Sequence, residues 1–291
     1  MPITVTEYTD PGCPWAYSAS PAFAALRWRY GAQLRWRLVM IGLAESAEQY
    51  AARGYTPAGI AKGNAPFRAW GMPLALHVKA RLSATARMCR AVVATRMRAP
   101  ERERDAFRAL QFAQFTTPLV MDDDAAVREA LALVDGLDVD AIVGALDDPE
   151  VTAAYEADRA ESRTAEGTPT QFQGKHAQTD GPVRYTAPSL LMRADGLVLE
   201  AGGFQSLDVY DVLVANLDPT LDRRDAPEDP LEALAAFPFG LTTAEVVEIM
   251  TPSLVEPDRD GVEAALIDLV AAGRADRMQL GDDALWRATQ G

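Results

Sequence analysis

Thiol and imidazole side chains are scarce in this chain of 291 residues: Cys13 and Cys89 are its only cysteines, His77 and His176 its only histidines. Two cysteines cannot build a disulfide framework. The same scarcity leaves no metal-spaced Cys/His cluster, so no metal cofactor is expected, and neither a Walker loop nor a dinucleotide fingerprint occurs. No apolar run approaches the roughly 20 residues of a membrane span. No charged stretch followed by an apolar run precedes the first strand. The expectation is a protein of the reducing cytoplasm with no membrane partner. Positive charge is also short, at a net −14. That argues against nucleic acid as a partner, because phosphate neutralisation needs cations.

What the chain does have is apolar content, 48%, enough to bury a sizeable core in one large domain or two ordinary ones. Its charge is unevenly spread. Residues 51–110 carry twelve basic against three acidic side chains, a net +9 inside an acidic protein. This segment reads either as a surface for an anion or as a helix face paired with acids of the same molecule.

The most informative residue is Cys13. Residues 3–8 alternate as a short strand, run through Asp10-Pro11-Gly12 into Cys13-Pro14-Trp15-Ala16, and give way to a helical pattern holding Phe23, Leu26 and Trp28. Pro14 fits a first helical position and puts Cys13 at or near the N-cap. Unpaired N–H groups and the helix dipole lower a thiol pKa there, which predicts a nucleophilic thiolate. A dithiol site needs a second cysteine three residues on, where this chain has Ala16. A buried, inert cysteine is the alternative.

Residues 34–41 read as a second strand, forming a parallel βαβ unit with the first. From Glu45 to about Glu166 the pattern is helical, with Leu82, Ala86, Cys89, Val93 and Met97 on one stripe of a helix spanning Arg81 to Arg98. Cys89 is therefore read as core, with a distant resolving partner for Cys13 as the minority reading. Asp122-Asp123-Asp124 reads as the N-cap and first turn of a further helix. His176 lies in the polar loop 167–182, read as solvated. Ser189–Met192 and Leu197–Glu200 flank Asp195-Gly196, the strongest hairpin signal in the chain, and a helix follows from Ser206 to Asn216.

Residues 219–235 contain three prolines and several charges and read as a linker. Beyond it, Thr242-Thr243-Ala244-Glu245 opens a helix as a capping box. A second helix runs from Asp260 to Ala272, Gly273 fits its end, and residues 277–287 pattern as a small β-wing. Helix, turn, helix and wing predict a winged-helix-like domain over 236–291. Residues 240–291 carry four basic against ten acidic side chains, a net −6, so packing or homodimerisation is expected of it in place of DNA reading.

Two motifs carry a family resemblance. Asp10-Pro11-Gly12-Cys13-Pro14-Trp15-Ala16 resembles the Asp-Pro-x-Cys-Pro-Trp-Cys of the DsbA-like branch of the thioredoxin superfamily, FrnE-type proteins included. Thr186-Ala187-Pro188-Ser189 resembles the loop whose cis-proline packs against the active-site sulfur. The resemblance implies an α/β thioredoxin-like fold over 1–218 with a helical insertion at about 45–166. It implies catalytic roles for Cys13, Pro14, Trp15 and Pro188, with Thr186 and Ala187 beside the substrate. Arg81 and Arg87 of the basic segment are expected to recruit an anionic thiol such as glutathione or mycothiol. With Ala16 at the resolving position, a mixed disulfide at Cys13 needs an external thiol, so the expected activity is that of a monothiol oxidoreductase on a thiol or disulfide substrate. Kappa-class glutathione transferases and hydroxychromene carboxylate isomerases share the helical insertion and are the second reading, though serine usually stands at the Cys13 position. The third is a non-catalytic binding protein on the same fold.

Overall fold

The computed structural model describes residues 2–289. Strand β1 (Ile3–Thr9) is followed by a short α1 (Pro14–Ser18), α2 (Ser20–Tyr30) and β2 (Leu34–Met40). β1 and β2 pair in parallel from Ile3 opposite Leu34 to Thr9 opposite Met40, the βαβ unit read from the sequence. β1 is buried along both faces, Thr6 and Glu7 as well as Ile3, Val5 and Tyr8, as a central strand must be.

The insertion comprises α3 (Ala47–Ala52), α4 (Pro57–Asn64), α5 (Ala86–Arg98), α6 (Glu103–Thr116), α7 (Asp124–Leu131), α8 (Val139–Gly144) and α9 (Pro149–Ser162). It is not helical throughout. After a short 3-10 stretch at Ala65–Trp70, residues 71–85 are irregular, so Arg81 and Leu82 precede the helix expected to hold them. The physical cause is at Thr85. It stands at the N-cap of α5, but its hydroxyl donates to Asp10 Oδ2 at 2.8 Å and accepts from the Leu43 N–H at 3.1 Å. The irregular segment is held by its neighbours: Tyr17 donates to Pro73 O at 2.7 Å, Ala75 N–H to Phe115 O at 2.9 Å, and Leu74 N–H to Asp282 Oδ1 at 2.7 Å. Met97, at the far end of the expected stripe, is 43% exposed, whereas Cys89, Val92 and Val93 are fully buried in the core beneath α5, α6 and α9.

The chain returns through α10 (Pro169–Phe172), β3 (His176–Ala177) and β4 (Arg184–Tyr185) to the hairpin β5 (Ser189–Ala194) and β6 (Leu197–Ala201), then α11 (Leu207–Leu217). His176 is thus in a strand, opposite Tyr185, and not in an open loop. Asp195 (φ +49°) and Gly196 (φ +81°) both adopt left-handed backbone, as a two-residue type I′ hairpin turn requires. β5 pairs antiparallel with β1, giving the sheet order β2-β1-β5-β6.

The remainder is α12 (Pro230–Ala236), β7 (Leu241–Thr242), α13 (Thr243–Met250), α14 (Arg259–Ala271), β8 (Ala275–Leu280) and β9 (Asp283–Ala288), with a separate antiparallel sheet in the order β7-β9-β8. The expected linker is shorter than its composition implied, because Pro230 sits at the start of α12 and opens that helix, with Asp229 as its cap. The stretch before it is fastened too. Trp28 Nε1 donates to Asp225 O at 2.8 Å, and the Arg224 guanidinium lies 3.3 Å above the Trp28 ring. The capping box at Thr242 and Glu245 is formed, and Leu266 and Leu269 of α14 are buried in the same core as Phe23, Leu26 and Trp28 of α2. The apolar face of α14 is thus covered within the chain.

Candidate functional site

The site is built at the end of β1. The chain leaves the strand through a turn in which the Cys13 N–H donates to Asp10 O at 3.1 Å and the Gly12 N–H to Asp10 Oδ1 at 2.7 Å. Asp10 Oδ2 accepts from Leu43 N–H at 2.8 Å, Thr85 Oγ1 at 2.8 Å and Cys89 Sγ at 3.4 Å. One fully buried carboxylate therefore ties the Cys13 turn to the loop after β2 and to α5, and its burial raises its pKa. Gly12 is required there, since a Cβ would lie 2.5 Å from Thr85 Cγ2.

Cys13 is the N-cap of α1, with Pro14 at the first helical position, as its spacing predicts. Its Sγ donates to Ala187 O at 3.2 Å, and the Ala187–Pro188 peptide bond is cis. Cys13 and Ala187, the residue before cis-Pro188, thus meet in space across 174 positions of sequence. The expectation of a lowered thiol pKa is overturned. Burial pushes the Cys13 thiol up to about 12; the Ala16 and Trp15 N–H groups pull it down, the Asp10 carboxylate pushes it up, and Arg184 pulls it down. The helix terminus acts in the expected direction, but Cys13 is only 6% exposed and desolvation wins. Ala16, one turn on, is buried as well, and both cysteines are free thiols.

Trp15 is 45% exposed and forms an aromatic platform with Phe67 (4.8 Å between centroids, edge-on) and Phe204 (5.5 Å). It stands at the rim of a cavity of about 460 Å³ between the Cys13 turn, α3, α4, the irregular segment and the end of α6. Tyr50, Tyr55, Ile60 and Leu76 give this cavity apolar walls, and Arg53, Lys79, Arg81 and Arg184 give it cations. None of the described lining residues is acidic.

Arg81 reaches the cavity from the irregular segment while pairing with Asp122 at 2.7 Å and Asp123 at 2.5 Å. Arg87 does not line it. Its guanidinium is held by Asp124 and Asp147, each at 2.6 Å; Asp123 and Asp124 stand at the N-cap and first turn of α7 as their spacing predicts, and they also neutralise part of the basic segment. Thr186 turns its hydroxyl to Lys175 O at 2.8 Å. His77 lines the cavity, and His176 does not.

Three residues escaped the sequence reading. Arg184 is buried, lines the cavity and favours the charged form of Cys13. A lone arginine between Val183 and Tyr185, just ahead of the Thr-Ala-Pro-Ser motif, was the available signal. Lys79 donates to Gln114 Oε1 at 2.8 Å, and burial pushes its ammonium down to about 8. Tyr50 has no sequence signal that separates it from an ordinary aromatic. Among the described residues, no group of three or more His, Cys, Asp and Glu side chains could hold a metal, and no helix is long and apolar enough to cross a membrane.

A four-stranded sheet that begins βαβ, ends in a hairpin entered through a cis-proline, and carries a cysteine at the first helix N-terminus defines a thioredoxin fold with a helical insertion. The chain belongs to the DsbA-like thioredoxin domain family, whose model matches residues 4–187. None of the curated proteins matches it. Among solved structures it is similar to the cytosolic disulfide reductase DsbM of Pseudomonas aeruginosa, at 17% identity and TM-score 0.53 over 75% of this chain and all of that one. The same protein with glutathione matches at 18% identity and TM-score 0.52, over 74% of this chain and 98% of the other. A protein described as a probable DsbA oxidoreductase from Streptomyces coelicolor matches at 18% identity and TM-score 0.54, over 77% and 94% of the two chains.

Proposed function

We propose that the protein is a cytoplasmic monothiol oxidoreductase in which Cys13 exchanges with a disulfide and a low-molecular-weight thiol completes the cycle. The carrying observation is the pairing of Cys13 Sγ with the Ala187 carbonyl beside cis-Pro188, with Ala16 where a second sulfur would stand. Chemically, the Cys13 thiolate attacks a disulfide, forms a mixed disulfide and expels one thiolate. An external thiolate then attacks the substrate-derived sulfur, releasing a new disulfide and the Cys13 thiolate. The cavity beside Pro14 and Trp15 suits the thiol partner, since its cations match the carboxylates of glutathione-like molecules and its aromatic walls accept an apolar substituent. A cytosolic setting and a glutathione partner are further supported by DsbM, described as a cytosolic reductase and solved with GSH.

A specific observation also favours the second reading, a thiol-conjugate transferase or isomerase: burial leaves the resting Cys13 thiol protonated at neutral pH. For the C-terminal unit, the order α12-β7-α13-α14-β8-β9 and its three-stranded sheet support a winged-helix-like module. Asp260 and Asp268 on the exposed side of α14 favour a packing role over DNA. The deciding experiment treats the protein with glutathione disulfide, and separately mycothiol disulfide, and maps adducts by mass spectrometry. Adduct confined to Cys13, removed by free thiol and absent from Cys13→Ser, is the expected result. Turnover of a thiol conjugate without any adduct, retained in Cys13→Ser, would transfer the assignment to the second reading.

A further inference from the structure

A second cavity, of about 440 Å³, lies where α2, β2 and α6 meet residues 236–241 of the C-terminal unit. It shares no lining residue with the cavity beside Cys13. Ala24, Gly31 and Ala32 leave the space open, and Trp28, Trp36, Phe237 and Phe239 give it aromatic walls. Its charges are almost all spoken for. Arg104 pairs with Glu7 at 2.5 Å, Arg108 with Glu245, and Asp105 with Arg102 at 3.7 Å. Arg224, over the Trp28 ring, reaches Glu232 at 3.7 Å.

Arg27 is the exception. Among the described residues its guanidinium has no ion pair and no hydrogen bond, and its Nε is shut off from solvent. Burial works most against its charge, and Arg104 and Arg108 add to that; the Glu7 carboxylate favours it but is already paired with Arg104. A half-buried cation whose Nε has neither water nor a partner is costly to the fold, and arginine does not escape that cost by losing its proton. The guanidinium carbon lies over the Trp36 ring, 3.9 Å from its centroid. Stacking of this kind leaves the in-plane N–H donors free, and their fork matches a carboxylate.

We propose that this cavity is a binding site for a small planar aromatic carboxylate, its charged end on Arg27 and its ring among the tryptophan and phenylalanine walls. Such a ligand supplies the missing counter-charge and fills the aromatic volume at once. Because the walls come from both α2 and the C-terminal unit, an occupant would join the two.

The test uses the full-length protein with benzoate and salicylate, read by tryptophan fluorescence and thermal melting. Inorganic phosphate supplies charge alone and benzyl alcohol the ring alone. Saturable binding of the carboxylates, with a rise in melting temperature, is expected. Arg27→Met should weaken it by about tenfold or more, the scale of a lost charged hydrogen bond. The unliganded variant should melt no lower than the parent, since it removes a half-buried charge without an ion-pair partner. Arg224→Gln, at the solvent edge, should weaken binding severalfold and covers the case of an Arg27 variant that does not fold. Cys13→Ser should bind as the parent does. Unchanged affinity in both arginine variants, loss of binding in Lys79→Met, or phosphate binding as tightly as benzoate would overturn the assignment.

Discussion

Cys13 Sγ donates its proton to the Ala187 carbonyl oxygen at 3.2 Å, so the hydrogen bond that seats the sulfur belongs to the neutral thiol. Ionisation would turn a donor into an anion facing an acceptor, which adds to the effect of burial. Iodoacetamide should therefore alkylate Cys13 slowly at pH 7. The rate should rise about tenfold per pH unit through the alkaline range, because only the thiolate reacts. Cys89, more deeply buried and also raised by desolvation, should react more slowly still. A rate plateau below the free-thiol value of about 8.5 would show that the site opens in solution. The linkage follows in sign: a thiol pKa raised in the fold contributes stability that is present below the unfolded pKa and lost as pH climbs towards about 12.

Ala16→Cys should convert the protein into a dithiol catalyst. Position 16 is buried one helical turn from Cys13, and i,i+3 side chains are neighbours on a helix. The parent should be inactive in insulin reduction, and the variant should form a 13–16 disulfide under mild oxidant and gain that activity. Persistence of two free thiols in the variant, read by mass shift after alkylation, would contradict the geometry.

Lys79 should make reaction with anionic disulfides pH-dependent. Its ammonium is pushed down to about 8, so it is charged below that value and neutral above it. Reactivity of Cys13 with glutathione disulfide should gain less above pH 8 than reactivity with the neutral hydroxyethyl disulfide. Lys79→Met should abolish the divergence while leaving the neutral reaction unchanged. Parallel profiles for the two disulfides in the parent would remove Lys79 from substrate recruitment.

Glu245 joins three elements: it accepts from Ser20 Oγ of α2 at 2.5 Å and from the Thr242 N–H at 2.8 Å, and it pairs with the buried Arg108 of α6. Arg108→Ala leaves that carboxylate buried without its cation, and should destabilise the protein by about 3–5 kcal/mol. Chemical denaturation should register this as a lower midpoint. Deleting residues 236–291 removes part of the core shared with α2, and should cost solubility and folding of the whole chain. A cooperative, fully soluble truncation product would contradict the shared core.

Local signals carried most of the architecture. The strand-turn-helix at Cys13, the Asp195-Gly196 turn and the Thr242–Glu245 capping box are decided by neighbours a few positions away, and each formed where its residues indicate. What escaped notice depends on distant partners. Thr85 looks like the interior of a helical pattern until Asp10, 75 positions earlier, is seen to take its hydroxyl. Arg81 and Arg87 are alike in sequence, yet one lines the cavity and the other is enclosed by Asp124 and Asp147. The thiol's proton affinity is hidden from local sequence for the same reason, because the dipole of α1 acts locally while the walls that desolvate Cys13 come from Tyr185, Ala187 and Leu191.

The fastening of residues 222–225 to α2 has a mechanical consequence. Helix α2 is packed between the central sheet, the Arg224–Trp28 stack and α13, so the stretch ahead of α12 has little slack under load. A chain held at residues 2 and 289 and pulled apart should rupture in a single large step. Two separate extensions, one of a length matching residues 230–289, would belong to a molecule whose C-terminal unit hangs from a free tether.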